Sequence, residues 1–167
     1  MTRTDTPTAW DERTLLTTFL DYARATARDK CAGLSDEDSG RSLLTTSPLT
    51  TIGGLVNHLR WVEYSWIQSV FLGEEDEGPW TEEEPDREMS LGAELPIAQV
   101  LAEYEAQCER YNIMLADVDL DARAARPFRD GQHPTLRWII LHLIEETARH
   151  NGHIDLLREM IDGVKGS

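Results

Sequence analysis

Cysteine is scarce in this chain. The two that occur, Cys31 and Cys108, have no Cys-x-x-Cys spacing, so a disulfide framework is not expected and a reducing, cytoplasmic setting fits better. Long apolar runs are missing as well: no window approaches the roughly 18 apolar residues of a membrane span. The opening stretch M-T-R-T-D-T-P-T-A-W-D-E-R has no apolar core, and no signal peptide is expected. Positive charge is in short supply. The 16 Lys and Arg face 31 Asp and Glu, a net charge of −15, and a nucleic-acid backbone or an anionic membrane would repel such a surface. Strand signals, internal repeats and low-complexity tracts are absent too.

What is present is helical periodicity. The 167 residues fit one domain, 1–167, and a chain of that size buries roughly 70% of its unfolded surface. Residues 1–8 are small and polar and read as a loose start. From about Trp10 to Ala32, Leu16, Leu20, Ala23, Ala27 and Cys31 recur at three and four, the spacing of one helix face. A polar loop over 35–47 follows. Ser47-Pro48 or Thr50 can begin a second helix, which runs to about Leu72 with the stripe Ile52, Leu55, Leu59, Val62, Trp66, Val70. Residues 73–95 are acidic, hold Pro79 and Pro85, show no clean period and read as a long connection, with Trp80 too apolar to leave wholly in water. A third helix spans about Pro96 to Val118. After a linker over 119–134, Thr135 can cap a fourth, continuing to about Ile161 before Gly163. The expected fold class is all-α: a four-helix bundle, up-down-down-up because the long connection lets the second and third helices run parallel.

Polar residues interrupt one of these stripes. The seam of the fourth helix reads Leu136, Ile140, Leu143, Thr147, His150, Ile154, Leu157, Ile161, with an imidazole where an apolar group belongs. His142, Glu146, His150 and His153 follow one another at four, four and three and share one side of the helix. His58 lies beside the stripe of the second helix. A buried carboxylate needs a partner, and a divalent cation is one. Inward-facing Glu and His from facing helices hold metals in many bundles. Two imidazoles and one carboxylate leave coordination positions open for chemistry. His58 joining Glu146 and His150 is the leading arrangement; His142 could replace Glu146, and His153 could join. The bland alternative is a hydrogen-bonded core histidine with Glu146 paired to Arg149 or Arg60. Cys31 and Cys108 fall on apolar stripes and read as small core residues rather than nucleophiles. Asn57 and Glu63 are expected in solvent by default, and Asp155 and Arg158 as an exposed pair.

Two stretches carry a resemblance: S-P-L-T-T-I-G-G-L-V-N-H-L-R-W-V-E at 47–63 and T-L-R-W-I-I-L-H-L-I-E-E-T-A-R-H-N-G-H-I-D-L-L-R-E at 135–159. The chain resembles the DinB superfamily of helical-bundle metalloproteins, in the branch of mycothiol-dependent maleylpyruvate isomerase. The resemblance implies one metal ligand from the second helix and two, four apart, from the last. For the isomerase type these are His, Glu and His around zinc, and the pattern falls on His58, Glu146 and His150. It places His153 in the pocket or behind the ligands, and His142 is a further candidate for a place behind them. The isomerase has an additional C-terminal domain that these residues do not include, so isomerisation is not expected.

The function expected from site and resemblance is a thiol S-transferase. A metal, zinc first with nickel or iron(II) also suited to the donors, would hold mycothiol or a similar small thiol as thiolate for attack on an electrophilic substrate. None of the three ligands is the nucleophile, and no catalytic residue is assigned. Hydrolysis by metal-activated water and a non-enzymatic metal-binding or stress-related module are the alternatives. A homodimer is expected from the resemblance.

Overall fold

The computed structural model describes residue 6, residue 8 and residues 10–165. Most of the polar start read over residues 1–8 falls outside them. Each long helix begins where a side chain satisfies its first free amides. Asp11 accepts from the Thr14 N–H ahead of α1 (Glu12–Lys30). Thr51, one residue later than expected, accepts from the Gly54 N–H ahead of α3 (Ile52–Tyr64). Thr135 does the same for the Trp138 N–H ahead of α6 (Leu136–Asp162), which ends at Gly163 with φ 77°. Between them lie α2 (Asp36–Ser39), inside the segment read as a loop, and α5 (Ile97–Leu115). The helix begun at Ile52 continues past Tyr64 as a π-helical segment, Ser65–Phe71. Among the described residues there is no strand, only an isolated bridge between Arg123 and Thr135. No described helix is long and apolar enough to cross a membrane.

The connection over 73–95 is more ordered than its sequence suggests. Trp80 packs edge-on against Trp61 at 5.8 Å and donates its indole N–H to Asp76. Beyond it, α4 (Arg87–Glu94) lies against α3. Close approach explains why no apolar stripe announces this helix. A Cβ on Gly53 would strike the Gly92 carbonyl oxygen, and one on Gly92 would strike that of Gly53. Two backbones in contact replace side-chain interdigitation, and the Asn57 amide donates to the Glu88 carbonyl at 2.7 Å. Asn57 is therefore buried, not solvated.

The core divides in two. Ala27, Leu59, Val100, Cys108 and Ile154 belong to one apolar cluster. Leu20, Ile67, Tyr111, Ile140 and Leu143 belong to the other. Between them on α1, α3 and α6 sit buried polar residues: Arg24, Glu63, Thr147 and Asn151. The Arg24 guanidinium meets both Glu63 oxygens at 2.8 and 2.6 Å and also donates to Asp21 and Asn112. Burial alone would lower the Arg24 pKa, but the Glu63 charge holds it well above its ordinary value. Glu63, expected in solvent, is thus one half of a sealed ion pair whose partner lies 39 residues away. Arg158 is another correction. It is buried, donates to the Lys30 and Ala32 carbonyls that end α1, and pairs with Asp162, while Asp155 pairs with Lys30. Cys31 and Cys108 are buried free thiols, as expected, with Cys31 pushed up to about 12 by burial.

Removing one member of a buried pair strands the other as an uncompensated charge. Glu63→Gln should therefore cost about 3–5 kcal/mol of stability by urea denaturation, and Arg24→Met with Glu63→Leu should cost less than Glu63→Gln alone. A Glu63→Gln loss below about 1 kcal/mol would show that the pair is dispensable.

Candidate metal centre

On α6, Glu146 and His150 alternate with Thr147 and Asn151 of the polar layer. Their helix turn points them toward α3, which contributes His58. One ligand atom each from His58, Glu146 and His150 lies within 4.8 Å of the others. A tetrahedral site with bonds near 2.1 Å needs neighbouring donors about 3.4 Å apart. His150 Nε2 and Glu146 Oε2 already stand at 3.4 Å. The His58 and His150 rings meet edge to face with centroids 5.0 Å apart, so a small rotation would close the set. All three residues are half-buried. Two borderline nitrogen donors and one oxygen suit a divalent transition metal.

The surrounding contacts decide which atoms are free to bind. His58 Nδ1 lies 3.0 Å from Glu88 Oε1. An Nδ1–H donated to that carboxylate leaves the Nε2 lone pair facing the other two ligands. His150 Nδ1 is held by His153 Nδ1 at 3.2 Å, again leaving Nε2 toward Glu146. Glu88 was hidden in the sequence: it comes from α4, inside the stretch read as a long connection. Pro85-Asp86 ahead of R-E-M-S-L-G-A-E-L is the start signal that could have revealed it.

His142 and His153 take different places. His153 is exposed and touches the centre only through His150. His142 stacks on Trp138 at 5.2 Å and meets the edge of Trp66 at 4.7 Å. Its Nε2 is 3.9 Å from Glu146 Oε1, and with Glu145 it makes a second close group around that carboxylate. This second group runs along one helix and includes Glu145, which Arg149 already engages. Arg149 also reaches Glu146 at 3.3 Å, one of the pairings weighed from sequence, but it is half-exposed and water can replace it. Arg60, the other pairing weighed, goes to Glu103 instead. Beside His58 and His150 opens a cavity of about 1050 Å³, walled by Leu55, Met89 and Leu157 and by the 44–50 loop.

Burial, and then the neighbouring His58, push the His150 imidazole down to about 4, against the opposing pull of Glu146. It is neutral at pH 7, the form that binds a metal. Between that value and the ordinary 6.5 the folded chain binds fewer protons at His150 than the unfolded chain, so stability rises with pH across the window. In metal-free protein the His150 contribution should be complete above pH 6.5 and should fade as pH falls toward 4. Urea midpoints measured across this range should flatten in His150→Asn; an unchanged slope would contradict the assignment.

A family model of mycothiol-S-transferases matches residues 15–163. No curated protein matches the chain. The match spans nearly all of the helical core and both stretches that carry the ligand set. This chain belongs to the mycothiol-S-transferase family, within the DinB-like superfamily.

Proposed function

We propose that this chain joins mycothiol, through its sulfur, to an electrophilic substrate at a divalent metal, zinc first, held by His58, Glu146 and His150. One observation carries the reading: three metal-capable side chains converge beside an open cavity in a chain of a thiol-transferase family. A bound cation would supply the positive charge that favours thiolate over thiol at neutral pH. The protein's own groups prepare that place. Glu88 orients His58 and His153 contacts the rear nitrogen of His150, so both imidazoles present Nε2. Leu55, Met89 and Leu157 give the adjoining cavity an apolar wall, which limits water around a reacting sulfur. In the net reaction a sulfur–carbon bond forms, the bond from that carbon to its leaving group breaks with its electron pair, and the thiol proton is released.

The scaffold proposed for this site is a four-helix bundle of α1, α3, α5 and α6 in up-down-down-up order. The order of the two core clusters supports it. Along α1 and α6 the Leu20 and Leu143 cluster comes first; along α3 and α5 the Leu59 and Val100 cluster comes first. Close packing of α1 on α6 and of α3 on both α5 and α6 agrees with that order.

Replacing His58, Glu146 or His150 with Ala should strip most of the metal from protein purified without an affinity tag, whereas His142→Ala should keep it. Glu88→Ala should weaken metal binding about 10- to 100-fold, the usual effect of losing a carboxylate behind a ligating histidine. If His142→Ala empties the site and Glu146→Ala does not, the ligand set is misassigned. For the reaction, metal-loaded protein should couple mycothiol to a haloaromatic electrophile, and cobalt-loaded protein should gain a sulfur-to-metal charge-transfer band when thiol is added. A cobalt spectrum indifferent to every small thiol would overturn the transferase reading.

A further inference from the structure

The surface on either side of the ligand set differs in kind. The larger cavity extends toward the end of α6, past His153 to Met160. In the other direction, one and two turns before Glu146, come His142 and Trp138, and there the surface turns aromatic. Trp66 meets Phe128 at 5.2 Å, Trp138 at 5.1 Å and His142 at 4.7 Å. His142 stacks on Trp138 with 18° between the ring planes. The rings come from three places: the π-helical segment, the 119–134 linker and α6. Rings gathered only for the core would be sealed, but Phe128 is 38% exposed and Trp138 43%. With Pro134 and Thr135 they wall a further cavity of about 390 Å³. Exposed apolar surface around a concave site is costly in water and marks a binding place. Trp66 also stands in the π-helical segment, and such wide turns recur at functional sites.

We infer that Trp66, Phe128, Trp138 and His142 form the seat of the electrophile, and that they select a flat, electron-poor ring system lying along α6. The inference rests on the thiol-transferase reading and adds the place of the second substrate. A transfer between two molecules needs two seats that meet at the reacting atoms. The aromatic wall meets the ligand set through His142, whose ring stacks on Trp138 while its Nε2 lies 3.9 Å from Glu146 Oε1. Trp138 and His142 precede Glu146 by about 12 and 6 Å of helix, within reach of a two-ring body laid along that face. The face of an indole is electron-rich, so it stacks best on a ring that is electron-poor. The same lack of electrons lets a ring carbon accept a thiolate. There the sulfur–carbon bond forms, the carbon–halide bond breaks with its electron pair, and the thiol proton is released. Charge does not decide the occupant, since Asp130 lines the smaller cavity and Arg129 stands 5.8 Å over Phe128.

The experiment uses the full metal-loaded chain and 4-nitrobenzofurazan, a flat, electron-poor probe with no leaving group. The native protein should bind it saturably in equilibrium dialysis. Phe128→Ala with Trp138→Ala should weaken that binding about ten-fold, whereas Trp138→Phe, which keeps a ring, should stay within about three-fold. Both side chains are exposed, so the metal content and circular dichroism of these variants should match the native chain. Proton signals of the bound probe should shift on cobalt-loaded and not on zinc-loaded native protein, which reads its nearness to the ligand set without turnover. For the reactive 4-chloro-7-nitro analogue, the double substitution should raise KM by the same factor. Binding that survives the double substitution, or a bound probe that cobalt does not shift, would overturn the seat and leave the transferase reading in place. The cobalt shift is measured on the native chain, so it decides even if a variant fails to fold. A thiol charge-transfer band that never appears would remove the transferase reading, and this inference with it.

Discussion

Arg24 and Glu63 are a charge pair with neither partner open to water, set where two apolar clusters meet. Everything around them is constrained by the need to keep both charges satisfied. Tyr104 directs its hydroxyl to Glu63 from α5, and Asn112 and Asp21 accept from the guanidinium Nη1. Any sliding of α1 against α3 would open this network, and the cost of an unpaired buried charge is several kcal/mol. The pair therefore acts as a register pin. His58 lies about a turn and a half from Glu63 along α3, so the pin also sets the height at which His58 meets α6.

From that pin the order of the candidate site can be followed outward. Thr147 and Asn151 belong to the polar layer, and Glu146 and His150 are their immediate neighbours on α6. The core side of the helix is fixed by hydrogen bonds such as that from the Asn151 amide to the Ala23 carbonyl. The next residues round the helix then face the cavity. The metal-capable groups are an offshoot of the polar layer rather than a feature inserted into an apolar wall. That relation explains how two imidazoles and a carboxylate can sit half-buried without wrecking the core: the layer beneath them is already polar, with Arg24, Glu63 and Thr147 hydrogen-bonded within it.

The long helices were legible because their apolar residues recur with the helical period, and the start of α6 because Thr135 occupies its cap position. His150 stood out because an imidazole interrupts the seam of the last helix, Glu146 because it flanks the same edge, and His58 because it lies beside the stripe of the second helix. The packing of α4 was not legible. It rests on Gly53 and Gly92 bringing backbones together, and glycine leaves no stripe in a sequence. Glu88 was lost with it. Glu63 was assigned to solvent because a carboxylate on a helix usually is; only a partner 39 residues away reverses that default, and no local spacing reveals such a partner. Arg158 was misjudged for the same reason, since the carbonyls it caps belong to the end of α1.

The contact of Gly53 with Gly92 has a thermodynamic consequence. Helix α4 is eight residues long, too short to persist in water by itself, and it is held on α3 by backbone contact and a hydrogen bond from Asn57. It therefore has a local opening equilibrium, drawn from the less stable end of the molecule. Docked, it offers Glu88 to His58; undocked, it does not. Whatever occupies the ligand set more tightly in the docked state must, by linkage, hold the helix down by the same free energy. Occupancy of the ligand set and the fraying of the short helix beside it are then two readings of a single equilibrium.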